Sequence, residues 1–236
     1  MQLFYHPEAT NVNQKIAFDK DESRHIVKVL RKQAGDKLQL TNGKGDFFSS
    51  EIIDAHHNKC LISLLEKETP QPLPYHIHLA VAPTKLNDRY EWFLEKAVEI
   101  GVHEITPILC EHSERTKIKE ERYEKIILSA MKQSLKAELP KLNRAISFTD
   151  FIKENSFPKT NRFIAHCAPG EKNSLKEVLK PKEQVLILIG PEGDFSEKEI
   201  TVALQNGFSP ISLGTSRLRT ETAAVVACHS VAFVNE

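Results

Sequence analysis

Between Val185 and Glu199 the chain passes from an apolar run through a tight loop into a helix start, which narrows its architecture more than any other stretch. The run Val185 to Ile189 stops at Gly190-Pro191-Glu192-Gly193, and Ser196 with Glu199 then forms the S-x-x-E signature of a capping box. In an open α/β sheet, ligands sit between the carboxyl end of a strand and the amino end of the next helix, where backbone groups are free. Gly190 and Gly193 let backbone approach a ligand closely, and Pro191 fixes the turn between them. An isolated loop of this kind reads equally well as a plain strand-to-helix connection.

A second passage repeats the pattern. Ile211-Ser212-Leu213-Gly214 reads as a short strand ending in glycine, and Leu218 to Ala224 leads into an Ala/Val-rich helix running toward Val234. Arg219, Thr220, Glu221 and Thr222 stand just ahead of the almost wholly apolar stretch Ala223 to Cys228. A helix apolar on all sides is a buried one, which puts these polar side chains at the mouth of a core. Thr220 or Thr222 is suited to cap the helix, and Glu221 either favours its positive end or takes part in chemistry. Capping does not explain Arg219. Two glycine-ended strands followed by helices predict one pocket built from adjacent loops.

The chain divides at Thr69 to Pro74, where Pro70, Pro72 and Pro74 make a stiff extended spacer. Before it, Lys37–Thr41, Phe47–Ala55 and Lys59–Leu65 read as strands, with Asn42 to Gly45 as a hairpin turn. After it, apolar strands alternate with helices: His76–Ala82, a helix Asp88–Ile100 opened by an Asp88/Glu91 box and closed by Gly101, Glu104–Leu109, a basic helix Glu121–Ala137, and Arg162–Cys167. That alternation predicts an α/β class with a mainly parallel sheet covered by helices.

The chain has 236 residues, and its 32 basic and 32 acidic residues cancel. The distribution says more than the sum. Arg24, Lys28 and Arg31 share a face of a helix expected over Glu22 to Lys32, and Lys125, Lys132 and Lys136 share a stripe of the basic helix. Either stripe is a solvated face or a set of phosphate contacts. The four cysteines, Cys60, Cys110, Cys167 and Cys228, are scattered without a C-x-x-C pair and read as small buried hydrophobes in a reducing compartment rather than as disulfides or zinc ligands. No apolar run is long enough for a membrane span, and the amino terminus lacks a signal-peptide layout, so a cytoplasmic location is expected. Gly43-x-Gly45 sits in a hairpin and lacks a third glycine, which excludes a dinucleotide fingerprint, and no phosphate-binding G-x-x-x-x-G-K-[ST] loop exists.

The segments I-G-P-E-G-x-x-S-x-x-E and L-G-x-x-x-L-R-T-E-T-A resemble those of the RsmE family, SPOUT-class methyltransferases that act on a uridine of small-subunit ribosomal RNA. So do Tyr5-His6-Pro7-Glu8, His25 to Asp36, Lys96 to Val102 with Ile105-Thr106-Pro107, Ser113-Glu114-Arg115 and Gln133-Ser134. The resemblance covers nearly the whole chain. It implies a PUA-like RNA-binding β-barrel over 1–69 and a SPOUT α/β domain over 75–236 with a carboxyl-terminal trefoil knot. It implies S-adenosylmethionine as cofactor, held by His166, Cys167, Ala168, Ile189, Gly190, Pro191, Glu192, Gly193, Leu213, Gly214, Leu218, Thr220 and Thr222. The implied reaction methylates ring N3 of a specific uridine in 16S ribosomal RNA.

Arg219 is the candidate anion stabiliser or phosphate anchor. Glu192 and Glu221 are the carboxylates suited to act as base or to balance a sulfonium. Lys85 and Arg115 join Arg24, Lys28, Arg31, Lys125, Lys132 and Lys136 as candidate RNA contacts; no metal site is expected. The implied partners are small-subunit ribosomal RNA, in the 30S subunit or a late precursor, and a second copy of the chain paired through the apolar helix Ala223–Val234. The chain departs from the family pattern at Ser216 and Arg217, where an arginine has moved by one position, at Asp194 in place of a second glycine, and at Lys136 in place of arginine. A non-catalytic RNA-binding or ribosome-assembly protein with this fold, or a methyltransferase for another RNA, is the alternative.

Overall fold

The computed structural model describes residues 2–154 and 160–236. The chain forms two compact units, one running to Pro72 and taking in Met131–Leu139, the other Leu73–Ala130 with Pro140–Glu236.

The first unit contains β1 (Leu3–Tyr5), β2 (Lys15–Ala17), α1 (Lys20–Arg24), β3 (Lys37–Thr41), β4 (Phe47–Asp54) and β5 (Leu61–Glu68). Its sheet has the order β1-β3-β4-β5-β2, antiparallel except for β1 beside β3. Every second side chain is buried (Leu38 and Leu40; Phe48 and Ile52; Ile62 and Leu64), so one face of the sheet covers a core shared with Phe4, Phe18 and Ile26. The β4–β5 ladder shifts register between Ser49 and Ser50 and between Ile52 and Asp54, and such bulges bend and twist a sheet. The hairpin turn places Gly43 and Gly45 at φ 72° and 96°. The same turn holds the returning segment: Leu139 N–H donates to Gly43 O at 2.9 Å, and Thr41 Oγ1 donates to Ala137 O at 2.7 Å.

The helix expected over Glu22 to Lys32 does not keep its pitch. Asp19 caps α1, which gives way to a π-helical turn at His25–Val29, and Arg31 lies beyond it at φ 55°. A π turn bonds i to i+5 and shifts side chains off the α-helical stripe, so Arg24, Lys28 and Arg31 are all exposed but do not share one helical face.

The second unit follows with β6 (His76–Val81), α2 (Asn87–Ile100), β7 (Glu104–Leu109), α3 (Glu120–Gln133), β8 (Lys141–Leu142), β9 (Ile146–Ser147), α4 (Phe148–Glu154), β10 (Asn161–Ala165), β11 (Asn173–Ser174), α5 (Leu175–Val178), β12 (Gln184–Ile189), α6 (Glu197–Gln205), β13 (Ser209–Ser212) and α7 (Thr220–Val234). The sheet order is β11-β13-β10-β12-β6-β7-β8, with β9 also beside β7, and every pair is parallel. At its centre β6 and β12 are buried almost without a break, as strands covered on both faces must be.

Two local expectations give way to side-chain competition. The Asp88/Glu91 box does not form: α2 starts after Leu86 without a side-chain cap, and Glu91 is bonded instead by Asn87 and by Arg122, the latter at 2.8 Å. The basic helix ends at Gln133, and Leu135 takes φ 55°, so Lys136 lies outside the stripe with Lys125 and Lys132. Gly101 closes α2 at φ 121°, as its position predicts.

Candidate active site at the carboxyl edge of the parallel sheet

Parallel pairing puts all strand ends on one edge, and the register sets them abreast. Ala165 lies opposite Ile189 and Ile211, Ile189 opposite Val81, and Val81 opposite Pro107. The loops after β6, β7, β10, β12 and β13 therefore leave from one rim, where free backbone groups gather.

Short polar ties lock these loops together. Asp194, at φ 64°, donates its N–H to Pro191 O at 2.9 Å and closes the turn after β12. Its carboxylate accepts from Cys167 N at 2.6 Å and Phe195 N at 2.9 Å, which binds that turn to the loop after β10. The departure from a second glycine thus supplies a cross-loop strut. His112 Nδ1 lies 3.1 Å from both Gly193 O and Asp194 O. A Cβ on Gly190 would sit 3.0 Å from the Phe195 ring and 3.2 Å from its backbone nitrogen, and one on Gly193 would sit 3.0 Å from His112 Cβ. Both glycines are closely packed, and a Cβ at either would make its neighbour shift by a few tenths of an ångström. The Ser196/Glu199 capping box is formed, and Glu199 also accepts from Glu111 N at 2.9 Å.

The loop after β6 is held in the same manner. Arg115 Nε donates to Thr84 O at 3.0 Å and Nη2 to Lys85 O at 2.8 Å, while Lys85 N–H donates to Glu192 Oε1 at 2.9 Å. Lys85 Nζ pairs with Glu114 at 2.7 Å on the surface. Arg115 and Lys85 are therefore occupied within the rim.

A cavity of about 470 Å³ opens between these loops, walled by Ile189 to Asp194 on one side and Arg217 to Thr220 on the other, with Cys167, Ala223 and Arg89 completing it. A second cavity of about 520 Å³ shares Ala165, Cys167, Arg217, Leu218 and Ala223, and extends along His166, Lys172 and Ile211 to Ser216. The structure so brings together His166, Cys167, Ile189, Gly190, Pro191, Glu192, Gly193, Leu213, Gly214, Leu218, Arg219 and Thr220 around adjoining cavities. Ala168, Thr222 and Glu221 lie off these walls; the Ala168 carbonyl accepts from Lys172 Nζ at 2.5 Å. His166 Nδ1 is buried without a hydrogen-bond partner among the described residues, and burial, then Lys172, holds its pKa below the usual value, so the ring is neutral.

Arg219 occupies the N-cap position of α7 in extended backbone without a side-chain cap, and Ala223 N–H donates to its carbonyl at 2.7 Å. Neither Thr220 nor Thr222 caps the helix. Arg217 and Arg219 are exposed, and among the described residues neither has a side-chain hydrogen bond or ion pair. Arg89, on the first turns of α2, is a wall residue that no motif marks. It became legible only through strand order, which sets β6 beside β12 and carries the start of α2 to the same rim. The other basic candidates do not line this cavity: Arg24, Lys28 and Arg31 are exposed on the first unit, Lys136 lies in that unit's returning segment, and Lys125 is exposed on α3. Lys132 pairs with Glu22 at 3.1 Å.

A family model described as RNA methyltransferase domain matches residues 71–232, and one described as RNA methyltransferase PUA domain matches residues 18–65. Among relatives, the ribosomal RNA small subunit methyltransferase E of Buchnera aphidicola (subsp. Acyrthosiphon pisum) is 34% identical over 89% of this chain and 85% of its own. A crystal structure described as a probable rRNA-methyltransferase from Porphyromonas gingivalis superposes with a TM-score of 0.91 at 45% identity, covering 100% of this chain and 98% of the other. The ribosomal RNA small subunit methyltransferase E of Neisseria gonorrhoeae, solved bound to S-adenosyl methionine, gives 0.89 at 26% identity, covering 100% and 98%.

Proposed function

The chain belongs to the RsmE family of RNA methyltransferases, and on that premise we propose that it methylates ring N3 of one uridine in 16S ribosomal RNA. It is an S-adenosylmethionine-dependent enzyme, and the rim fits that cofactor: paired cavities, two glycines with little room for a side chain, and the Nδ1 of His166, buried without a partner among the described residues. His166 to Ala168, Ile189 to Gly193, Leu213, Gly214, Leu218, Thr220 and Thr222 are the residues we assign to hold it, mostly through backbone. The cofactor supplies a methyl group on a positively charged sulfonium. SPOUT architecture with a trefoil knot threading these loops is the fold we infer from family membership.

The protein has to orient the base and stabilise it as its imide proton leaves. Preorganised charge and positioning supply most of such a barrier. Arg219, unpaired at the cavity wall, stabilises the developing uracil anion. Of the carboxylates nearby, both oxygens of Asp194 accept backbone N–H groups and Glu221 lies off the wall. Glu192 lines the cavity with only Oε1 engaged, which leaves Oε2 to take the proton from N3. The convergence of Glu192 and Arg219 on one cavity is the observation that carries this reading.

We assign RNA binding through Arg24, Lys28 and Arg31 to the PUA-type domain at 1–69, whose compact unit also takes in Met131–Leu139, and cofactor binding to the domain at 75–236 without that segment. Lys125, Lys132, Lys136, Lys85 and Arg115 remain secondary candidates. The substrate is small-subunit ribosomal RNA, free or in a 30S particle. A cytoplasmic location is supported by free cysteines and by the absence, among the described residues, of any helix long and apolar enough to cross a membrane. Pairing of two copies through α7 is supported by Phe233, which is 67% exposed on that helix. Mapping methylated uridines in ribosomal RNA from cells with and without the gene tests the assignment. Loss of one N3-methyluridine is expected, and an unchanged map would overturn it.

A further inference from the structure

We propose that Arg89 is a substrate-binding residue that takes a phosphodiester oxygen next to the target nucleotide, and that Glu221 acts through it as a positioning residue. The inference rests on the RNA methyltransferase reading above and adds to it a residue from α2.

Glu221 is only 7% exposed, yet it is a carboxylate at the start of an apolar helix. Arg89 Nε lies 3.8 Å from Glu221 Oε1, and no other cation among the described residues comes within 4.0 Å of that carboxylate. Its second oxygen is buried with no hydrogen-bond partner among the described residues. A buried charge of this kind persists only with compensation, so Glu221 and Arg89 fix each other. The pair leaves the guanidinium over-supplied with donors: Arg has five N–H groups in a planar fork, and Arg89 lines the cavity as well as facing Glu221. A third of the Arg89 side chain is accessible (34%).

The donor set points to the ligand. The cavity that Arg89 lines also presents Arg217 and Arg219, which have no side-chain partner among the described residues, beside the carboxylates of Glu192 and Asp194, which accept backbone N–H groups. The neighbouring cavity, with Ile211, Leu213 and exposed backbone at Gly214, does not include Arg89 or Arg219. One amino-acid carboxylate on a cofactor needs one guanidinium. A wall of three suits a polynucleotide, which brings a phosphate with every residue.

The test uses Arg89→Gln, Arg89→Lys and Glu221→Gln in the full-length protein, with deproteinised small-subunit ribosomal RNA and S-adenosylmethionine measured separately. Arg89→Gln should raise the KM for RNA about tenfold and weaken filter-bound RNA. It should also lower the slope of log affinity against log salt by about one, with the calorimetric Kd for cofactor unchanged. Arg89→Lys should restore the salt slope and part of the affinity. Glu221→Gln should reproduce the KM effect without touching cofactor binding, and if that variant does not fold, the two Arg89 variants decide alone. An unchanged KM and salt slope in Arg89→Gln, or a loss confined to cofactor affinity, would overturn the assignment. RNA binding needs no turnover, so a wild-type protein that binds RNA through Arg89 but methylates nothing would sink the methyltransferase reading and leave this one standing.

Discussion

Arg219 and His78 show how position sets what a single side chain does. Arg219 stands exposed at the mouth of a cavity, and its packing contribution is small, so Arg219→Ala should cost at least a hundredfold in kcat, as loss of a charge-stabilising group does, while the melting temperature moves little. Normal turnover in that variant would remove it from the chemistry. His78 is the reverse case: 7% exposed on β6, with Nε2 2.7 Å from Thr106 Oγ1 and Nδ1 4.0 Å from Glu104. Burial outweighs the attraction of Glu104 and holds its pKa at about 4, so the folded ring stays neutral where the unfolded one charges. The sign follows: the unfolded chain binds the extra proton, and up to about 3 kcal/mol of stability present above pH 6.5 is lost as pH falls toward 4. His166, also held low, adds to the same slope, whereas Glu104, held below the usual carboxylate range, loses its share only at lower pH. His78→Gln should flatten most of the decline between pH 6.5 and 4.5 in thermal melts; an unchanged slope would exonerate the residue.

At the scale of elements, the legible features were those written in adjacent residues. The Ser196/Glu199 box, the strand that stops at Gly190 and the Gly101 stop all formed because each depends on one turn of chain, whereas β13 ends at Ser212, two residues short of Gly214. The features that went astray depend on competition across the fold. Local spacing makes Glu91 a cap, but Arg122, thirty-one positions along, draws it off. Arg31 and Leu135 end their helices in left-handed backbone without glycine, which no periodicity records. Arg89 carries no motif because its meaning comes from the side-by-side order of β6 and β12. The β12–α6 loop allows a direct test of the close packing described above. Gly190→Ala should destabilise the protein by about 1–3 kcal/mol and weaken cofactor binding, because the new methyl meets Phe195 backbone as well as its ring. Calorimetry showing full cofactor affinity and an unshifted melt would contradict that packing argument.

For the whole molecule, the two units carry separable predictions. Replacing Arg24 and Arg31 together should weaken RNA binding and lower its salt slope by up to about one per lost contact, with cofactor affinity intact. Unmoved RNA affinity would make those side chains a solvated face. Light scattering should find a dimer at micromolar concentration, and a clean, fully active monomer would defeat the pairing. The units are not separable along the chain. The hairpin after β3 is completed by Thr41 bonding to Ala137 and Leu139 bonding to Gly43. A nascent chain cannot finish its first domain when that domain's own residues have left the ribosome. It waits for the segment ending at Leu139, by which time β6, α2 and β7 have emerged as well. Amino-terminal-first folding, the usual order for domains made during synthesis, is thereby replaced by joint maturation, and a nick at the proline spacer would leave two fragments still held by a borrowed strand of backbone.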